Sequence, residues 1–523
     1  MYWCHVPEVE GCWAPAVHSN CIHNEHRALV MRTLGPTPAY PANNYARRIY
    51  RDFRRLVRRA ELVPWTEEKV VESYSGRLAI RYEQARISLV EDGTLSSADK
   101  TLKSFVKAEK FNPLLKASKP RLINARSPRF NLRLATWLKP LEHYFWRALK
   151  SRCRGVRKTR VVGKGLNGKK RAKLIADKME AVGHGCTVFE VDGIAFEAHV
   201  TLDEIQFEHG VYLAAYSDDP ELAATLKCQQ KLKGVTSCGI KYERPGCRAS
   251  GDFNTGLGNT LVMLGSVFAA MDLLKDRGFS AKWDVLADGD NCLVFVERRG
   301  ADELYREFAP AVSAVSGQEL TVEKPVQLLE EVVFGQSHPV FNGREYVMVR
   351  DVFKTLSYAF SGYRHYRDYA RHGVRVLKAI AECETALAIG VPVLQAYFSG
   401  ALRKLQHVPD LTDPTQFLEA RHIEAYRSLG GTDIHKVLEQ VRPISDDARI
   451  SFSKAFGIDV GAQLELEESL VRGISFPHEE GFLAKVWTRF GFNWVVWDPI
   501  HVLDRPYGQT VDKQDLCYLS AEH

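Results

Sequence analysis

The chain has 523 residues, 45% of them hydrophobic and 26% charged, and carries a formal net charge of +7 from 71 basic and 64 acidic side chains. That composition excludes a disordered or low-complexity protein, and the length exceeds what one simple core holds, so about three or four domain-scale units are expected. No uninterrupted apolar run of membrane-spanning length stands out, Met1-Tyr-Trp-Cys lacks the order of a secretory signal, and eleven scattered cysteines speak for reducing surroundings rather than a disulfide framework.

Residues 1 to about 100 mix Pro-rich turns with amphipathic stretches. Cys4, His5, Cys12, His18, Cys21, His23 and His26 crowd the start, but no tight Cys-x-x-Cys pair is present. An extended structural segment is expected there in preference to a zinc site. Arg48 to Arg59 reads as a charged helix face, and Glu67 to Ala85 as a helix. Pro120 and Pro128 bracket an extended segment bearing Arg121 and Arg126, with Arg129 just beyond. Leu132 to Lys150 predicts a helix broken or kinked at Pro140, whose Trp137, Tyr144 and Trp146 belong to the core. Basic side chains crowd 152–173, among them Arg157, Lys158, Arg160 and Lys164. Such a density suits phosphates, with backbone contacts and little sequence readout; a solvated loop is the plainer alternative.

Further on, a strand over Thr187 to Val191 ends in Asp192, and Leu202 to Tyr216 predicts a helix. Ser250-Gly-Asp-Phe-Asn-Thr-Gly-Leu-Gly-Asn259 opens a helix from about Gly258 to Leu274. Its short hydroxyl and amide groups suit ribose recognition, or ordinary helix capping. Trp283 to Leu286 and Cys292 to Val296 predict a hairpin with Gly289-Asp290-Asn291 at its tip. A helix near Ala301 to Val315 and a short strand at Thr321 to Pro325, carrying Lys324, follow. Arg371 to Leu405 is helical, interrupted at Gly390-Val-Pro392. The tail regains Phe482, Trp487, Phe490, Phe492, Trp494 and Trp497, which favours a packed subdomain.

Two separated strand ends, each offering a carboxylate, are what a two-metal phosphoryl-transfer site needs. Together with the segment between them they resemble motifs A, B and C of viral RNA-dependent RNA polymerases, in the tombusvirus-like group of positive-strand RNA viruses. Other words are similar to that family: Asn24-Glu-His-Arg-Ala-Leu29, Phe105-Val-Lys-Ala-Glu-Lys110, Lys164-Gly-Leu-Asn167, the arginine-rich motif F over Arg121 to Asn131, and Phe334-Gly-Gln-Ser-His-Pro-Val340 as the primer-grip hairpin. Two departures stand out. Most of the group has Gly-Asp-Asp where this chain has Gly289-Asp290-Asn291, and motif A ends in Glu197 where the family expects Asp.

The resemblance implies an α+β right-hand polymerase with fingers, palm (antiparallel sheet plus helices) and a mostly helical thumb. The expected division is an N-terminal arm and fingers extension over 1–100, fingers over 101–185, palm over 186–330, and primer-grip hairpin and thumb with a C-terminal extension over 331–523. Two magnesium ions, or manganese, are expected on Asp192, Asp290, Asn291 and the Gly193 carbonyl, with Lys324 as a proton donor to pyrophosphate. Arg121, Arg126 and Arg129 are expected on the nucleotide triphosphate, and Glu197, Ser250, Thr255 and Asn259 on the ribose. Lys107, Lys110, Arg157, Lys158, Arg160 and Lys164 are expected on RNA. The implied partners are RNA template and nascent RNA, ribonucleoside triphosphates, and a viral membrane-anchored replication protein, at membrane-associated complexes in the host cytoplasm. Asn291 keeps open a catalytically impaired RNA-binding protein of the same fold; a reverse transcriptase is disfavoured by the Ser250–Asn259 signature.

Overall fold

Alternating and β-branched segments pair into four small sheets in the computed structural model, which describes residues 1–115, 119–362, 365–428 and 433–477. In chain order the strands are β1 (Tyr2–His5), β2 (Leu102–Val106), β3 (Leu122–Ala125), β4 (Thr187–Gly193), β5 (Lys231–Thr236), β6 (Lys241–Pro245), β7 (Trp283–Asp288), β8 (Asn291–Val296), β9 (Leu320–Val322), β10 (Ser337–Phe341), β11 (Tyr346–Arg350) and β12 (Phe360–Gly362). One four-stranded sheet runs β7-β8-β4-β9, all antiparallel. A second runs β3-β2-β5-β6, with β2 and β5 parallel. The pairs β10-β11 and β1-β12 complete the set. With the many helices between them this is a mixed α+β fold.

The period-2 pattern splits the β7-β8-β4-β9 sheet into two apolar faces. Phe189, Val191, Val285, Ala287, Cys292 and Val294 share a core with helices Thr255–Asp276 and Ala301–Ser316. Val188, Leu286, Leu293 and Phe295 face Ile175, Val182 and Phe334 instead. By length and composition alone Thr255–Asp276 could cross a membrane, contrary to the sequence expectation, but 89% of its apolar window is buried inside the molecule. It is the core helix behind the sheet.

Two helix expectations change. Pro128–Ala148 continues unbroken through Pro140. The Thr136 carbonyl, whose usual i+4 donor the proline removes, accepts instead from the Trp65 N–H at 2.8 Å. Glu67 to Ala85 is not one helix but Glu67–Glu72 followed by Gly76–Glu91. At the break Gly76 adopts φ +59, and a Cβ there would lie 2.5 Å from the Thr415 carbonyl oxygen. The break at Gly390 to Pro392 separates Val374–Leu387 from Leu394–Lys404 as expected.

The N-terminal segment packs far along the chain. β1 pairs with β12, and Tyr2 and Cys4 join the core around Tyr397 and Phe398. Among the described residues, none of the early cysteines and histidines joins a group of three metal-ligand side chains. The tail aromatics from Phe482 onward lie outside the described residues.

Candidate active site

The strand register builds the site. Asn291 lies opposite both Asp288 and Asp192, and Asp192 lies opposite Thr321. Directly opposed residues share a face. Asp288, Asn291, Asp192 and Thr321 therefore form one row across β7, β8, β4 and β9, on the face away from helix Thr255–Asp276. Asp290 sits in the turn at the end of that row. Its carbonyl accepts from the Gly193 N–H at 3.1 Å, which ties the end of β4 to the turn. Gly289, at φ +70, lets the chain reverse and donates to Thr260 Oγ1 at 3.0 Å, anchoring the turn on the core helix.

Electrostatics sort these acids. Desolvation by the surrounding protein and then the field of Asp290 push Asp192 up to about 6. The same two causes, in the same order, raise Glu197. Among the described residues neither Asp192 nor Asp290 has an ion pair with Lys or Arg, whereas Asp288 takes Lys164 and Arg171 at 2.6 Å each. Two adjacent acids without a basic partner fit a divalent cation, which oxygen donors favour. Gly193 admits no side chain, since a Cβ would lie 2.4 Å from Phe196. The loop beyond it passes through Ala195 at φ +48, a strained conformation for a residue with a Cβ.

The expected ribose group is dispersed among different duties. The Ser250 hydroxyl donates to the Leu122 carbonyl at 3.1 Å and accepts from the Asn124 N–H at 3.3 Å. The Thr255 hydroxyl points at the carbonyls of Ala249 (2.9 Å) and Asp252 (2.8 Å), starting the core helix. Asn259 accepts from Arg248 Nε at 3.0 Å, and Arg248 forms a buried pair with Glu208. Gly258 makes room for that pair, because a Cβ would lie within 2.6 Å of both partners.

The three arginines also diverge. Arg126 is buried, paired with Asp252 and bonded to the carbonyls of Lys100 (3.0 Å) and Cys228 (2.6 Å). Arg129 donates to the carbonyls of Ser88 and Gly93 at 2.7 Å each and pairs with Asp99 at 3.3 Å. Arg121 stays exposed, and among the described residues its ion pair is with Glu109 at 3.9 Å. It lines a cavity of about 130 Å³ together with Lys107, Glu197, Ser250 and Arg32. Arg32 was not singled out from sequence; no residue pattern announces it.

Lys107 Nζ contacts Glu109 at 3.2 Å. Lys110 instead reaches across to the carbonyls of Tyr358 and Ser361, both at 2.7 Å, and burial pushes it down to about 8. In the basic segment Arg157 is exposed near Asp177 and Glu180, and Lys158 bonds the Ser151 carbonyl at 2.8 Å. Arg160 bonds the carbonyls of Val162 (2.6 Å) and Lys164. Lys164 lines a wide groove of about 1010 Å³ with Trp146, Arg171, Gly256, Asp288 and Arg427. Lys324 is exposed just past β9. Elsewhere Glu382, Asp410 and His435 bring ligand atoms within 4.8 Å of one another, but Lys378 already sits 2.6 Å from Asp410.

A mixed α+β fold with a carboxylate-bearing hairpin laid against a second aspartate strand, and a long buried helix behind them, is the class this chain presents. The family described as viral RNA dependent RNA polymerase matches residues 4–474, and the chain belongs to that family. It is similar to the RNA-directed RNA polymerases of Turnip crinkle virus (34% identical over 472 residues, 86% of this chain and 57% of the relative) and Tobacco necrosis virus (strain A) (30% over 465 residues, 86% and 61%). A third relative is the RNA-directed RNA polymerase of Groundnut rosette virus (strain MC1), 30% identical over 476 residues, 89% of this chain and 53% of the relative. The chain thus spans little more than half the length of these curated relatives.

Proposed function

We propose that this chain synthesises RNA on an RNA template from ribonucleoside triphosphates, replicating a viral genome. The observation that carries the reading is the register of β4 against β8. It sets Asp192 beside Asn291 and the Asp290 turn, with no basic side chain pairing either aspartate among the described residues. The names of the relatives support the same activity.

In this reading 1–100 is the arm and fingers extension, 101–185 fingers, 186–330 palm, and 331–523 primer grip and thumb. Asp192 and Asp290, with the Gly193 carbonyl and Asn291 as neutral oxygen donors, hold the metal ions. Magnesium or manganese, when bound there, lowers the pKa of the 3′-hydroxyl and neutralises the charge of the departing pyrophosphate. The 3′-oxygen bonds to the α-phosphorus as the bond from that phosphorus to the bridging oxygen breaks. Arg121 and Lys107 bind the triphosphate, and Lys324 gives a proton to pyrophosphate. Arg126 and Arg129 hold the backbone that presents Arg121. Glu197 and Asn259 read the 2′-hydroxyl, which both donates and accepts, while Ser250 and Thr255 fix the loop around them. Arg157, Lys158, Arg160 and Lys164 lie along the RNA path, and Lys110 joins the fingers to the thumb side. The remaining partner is a viral membrane-anchored replication protein, which brings the chain to membrane-associated complexes in the host cytoplasm.

The test is extension of a short primer–template RNA with magnesium or manganese, supplied with ribo- or deoxyribonucleotides. Ribonucleotide addition that vanishes in Asp290→Ala supports the reading. RNA binding without addition, in either metal, supports instead a catalytically silent RNA-binding protein, the reading that Asn291 keeps open.

A further inference from the structure

Arg32 belongs to no motif, yet the fold builds a position for it. Ala28 and Leu29 are buried against Leu102, Val106 and Leu122, so the N-terminal segment is fastened to the β3-β2-β5-β6 sheet. Residues Leu29–Thr33 then form a single π-helical turn, closed by the Leu34 N–H on the Leu29 carbonyl at 2.7 Å. Such turns are uncommon and cluster at functional sites. Arg244 locks the far side by donating to the carbonyls of Thr33 (2.9 Å) and Gly35 (2.8 Å). The extra residue of the π-turn carries Arg32 into the cavity lined by Arg121, Lys107, Glu197 and Ser250.

What Arg32 meets there is unusual. Its Nε is buried and has no hydrogen-bond partner, and no carboxylate lies within ion-pair distance of its guanidinium among the described residues. Burial and then the field of Arg121 lower its pKa, while Glu197 and Glu109 oppose that shift. Two guanidiniums crowded into one cavity repel each other, and a buried donor left unmade costs free energy. An anion with several oxygens relieves both, since arginine offers fixed, fork-shaped donors matched to phosphate. The cavity also lies against Ala195 and Glu197, on the loop that leaves Asp192. At about 130 Å³ it has room for a phosphate-sized group and not for a polynucleotide strand.

We propose that Arg32 is a nucleotide-binding residue supplied by the N-terminal segment, which grips the phosphates of the incoming ribonucleoside triphosphate jointly with Arg121. This rests on the polymerase reading above and adds a specific duty for the N-terminal segment: it completes the nucleotide site.

The experiment compares wild type with Arg32→Ala and Arg32→Lys in the full chain. In primer extension, Arg32→Ala is expected to raise the KM for nucleotide about tenfold while kcat stays within about threefold and RNA affinity within about twofold, with Arg32→Lys in between. Binding of a fluorescent GTP analogue without RNA is measured in parallel, with inorganic triphosphate as competitor, so a chain inactive in extension still tests Arg32. Loss of GTP binding together with loss of triphosphate competition upholds the proposal. It is overturned by a KM within twofold of wild type, by RNA affinity falling in place of nucleotide affinity, or by unchanged triphosphate competition. Equal melting temperatures certify folding, and if Arg32→Ala melts early, Arg32→Lys alone decides. No addition by wild type in either metal defeats the polymerase reading and leaves the binding arm to judge Arg32.

Discussion

The two ends of the β7-β8-β4-β9 sheet carry acids in opposite circumstances. At one end Asp284 is fully buried, and Lys178 reaches it at 2.8 Å from an equally buried position, with the hydroxyls of Ser151 (2.8 Å) and Thr159 (3.1 Å) on the same carboxylate. At the other end Asp192 and Asp290 have no basic partner among the described residues, and the field of Asp290 helps to raise Asp192. Asp288, in the same row as Asp192, is held by Lys164 and Arg171. An acid that the fold has already neutralised is part of the scaffold. Neighbouring acids left unneutralised are stabilised by a cation that the protein does not itself supply.

The comparison breaks most sharply at Asp290. Asp290→Ala is expected to cut nucleotide addition by roughly 10³-fold, the scale of removing a charge-stabilising group from an active site, with little change in melting temperature. Asp284→Ala should do the reverse. It leaves Lys178 buried and uncompensated, which costs about 3–5 kcal/mol and shows as earlier thermal or urea unfolding. Asp284→Leu combined with Lys178→Met should recover most of that loss, because a buried pair replaced by apolar groups of similar volume is close to neutral.

A pH profile sharpens the difference. Asp192 titrates at about 6, above its ordinary 3.8, through desolvation and the field of Asp290. A raised carboxyl competes with the cation for the site, so manganese binding to the metal-free chain should weaken as pH falls toward and below 6. The stability contribution of this group runs the opposite way: it declines as pH rises from 3.8 toward 6, where the folded chain binds the extra proton. The smallest effect is expected from Asn291→Asp. It places a carboxylate between Asp288 and Asp192 on one row, where opposed like charges cost up to about 1 kcal/mol. Activity should survive, with a changed magnesium-to-manganese ratio in the extension assay.

The hairpin, the aspartate strand and the core helix were legible because local patterns specify them: period-2 flanks, a Gly-Asp turn, and a glycine-rich loop before an apolar run. What the side chains of that frame touch was not. Arg121, Arg126 and Arg129 look alike in sequence, but Asp252 and the carbonyls of Lys100, Cys228, Ser88 and Gly93 claim the second and third. Ser250 and Thr255 have the polarity for a ribose, yet neighbouring backbone groups take their hydroxyls. Asp252 and Cys228 for Arg126, and Leu122 for Ser250, lie more than a hundred residues away, and a single sequence holds no trace of them. Pro140 stays helical for the same kind of reason, since the Trp65 N–H takes the carbonyl it frees. Arg32 escaped notice because a π-turn depends on packing and leaves no periodic signature.

The most direct test of shared cation binding is calorimetric titration of manganese into the full chain, into Asp192→Asn and into Asp290→Asn. Convergence of the two acids predicts that either substitution weakens manganese binding by roughly tenfold or more. Equal affinity in all three proteins would contradict it.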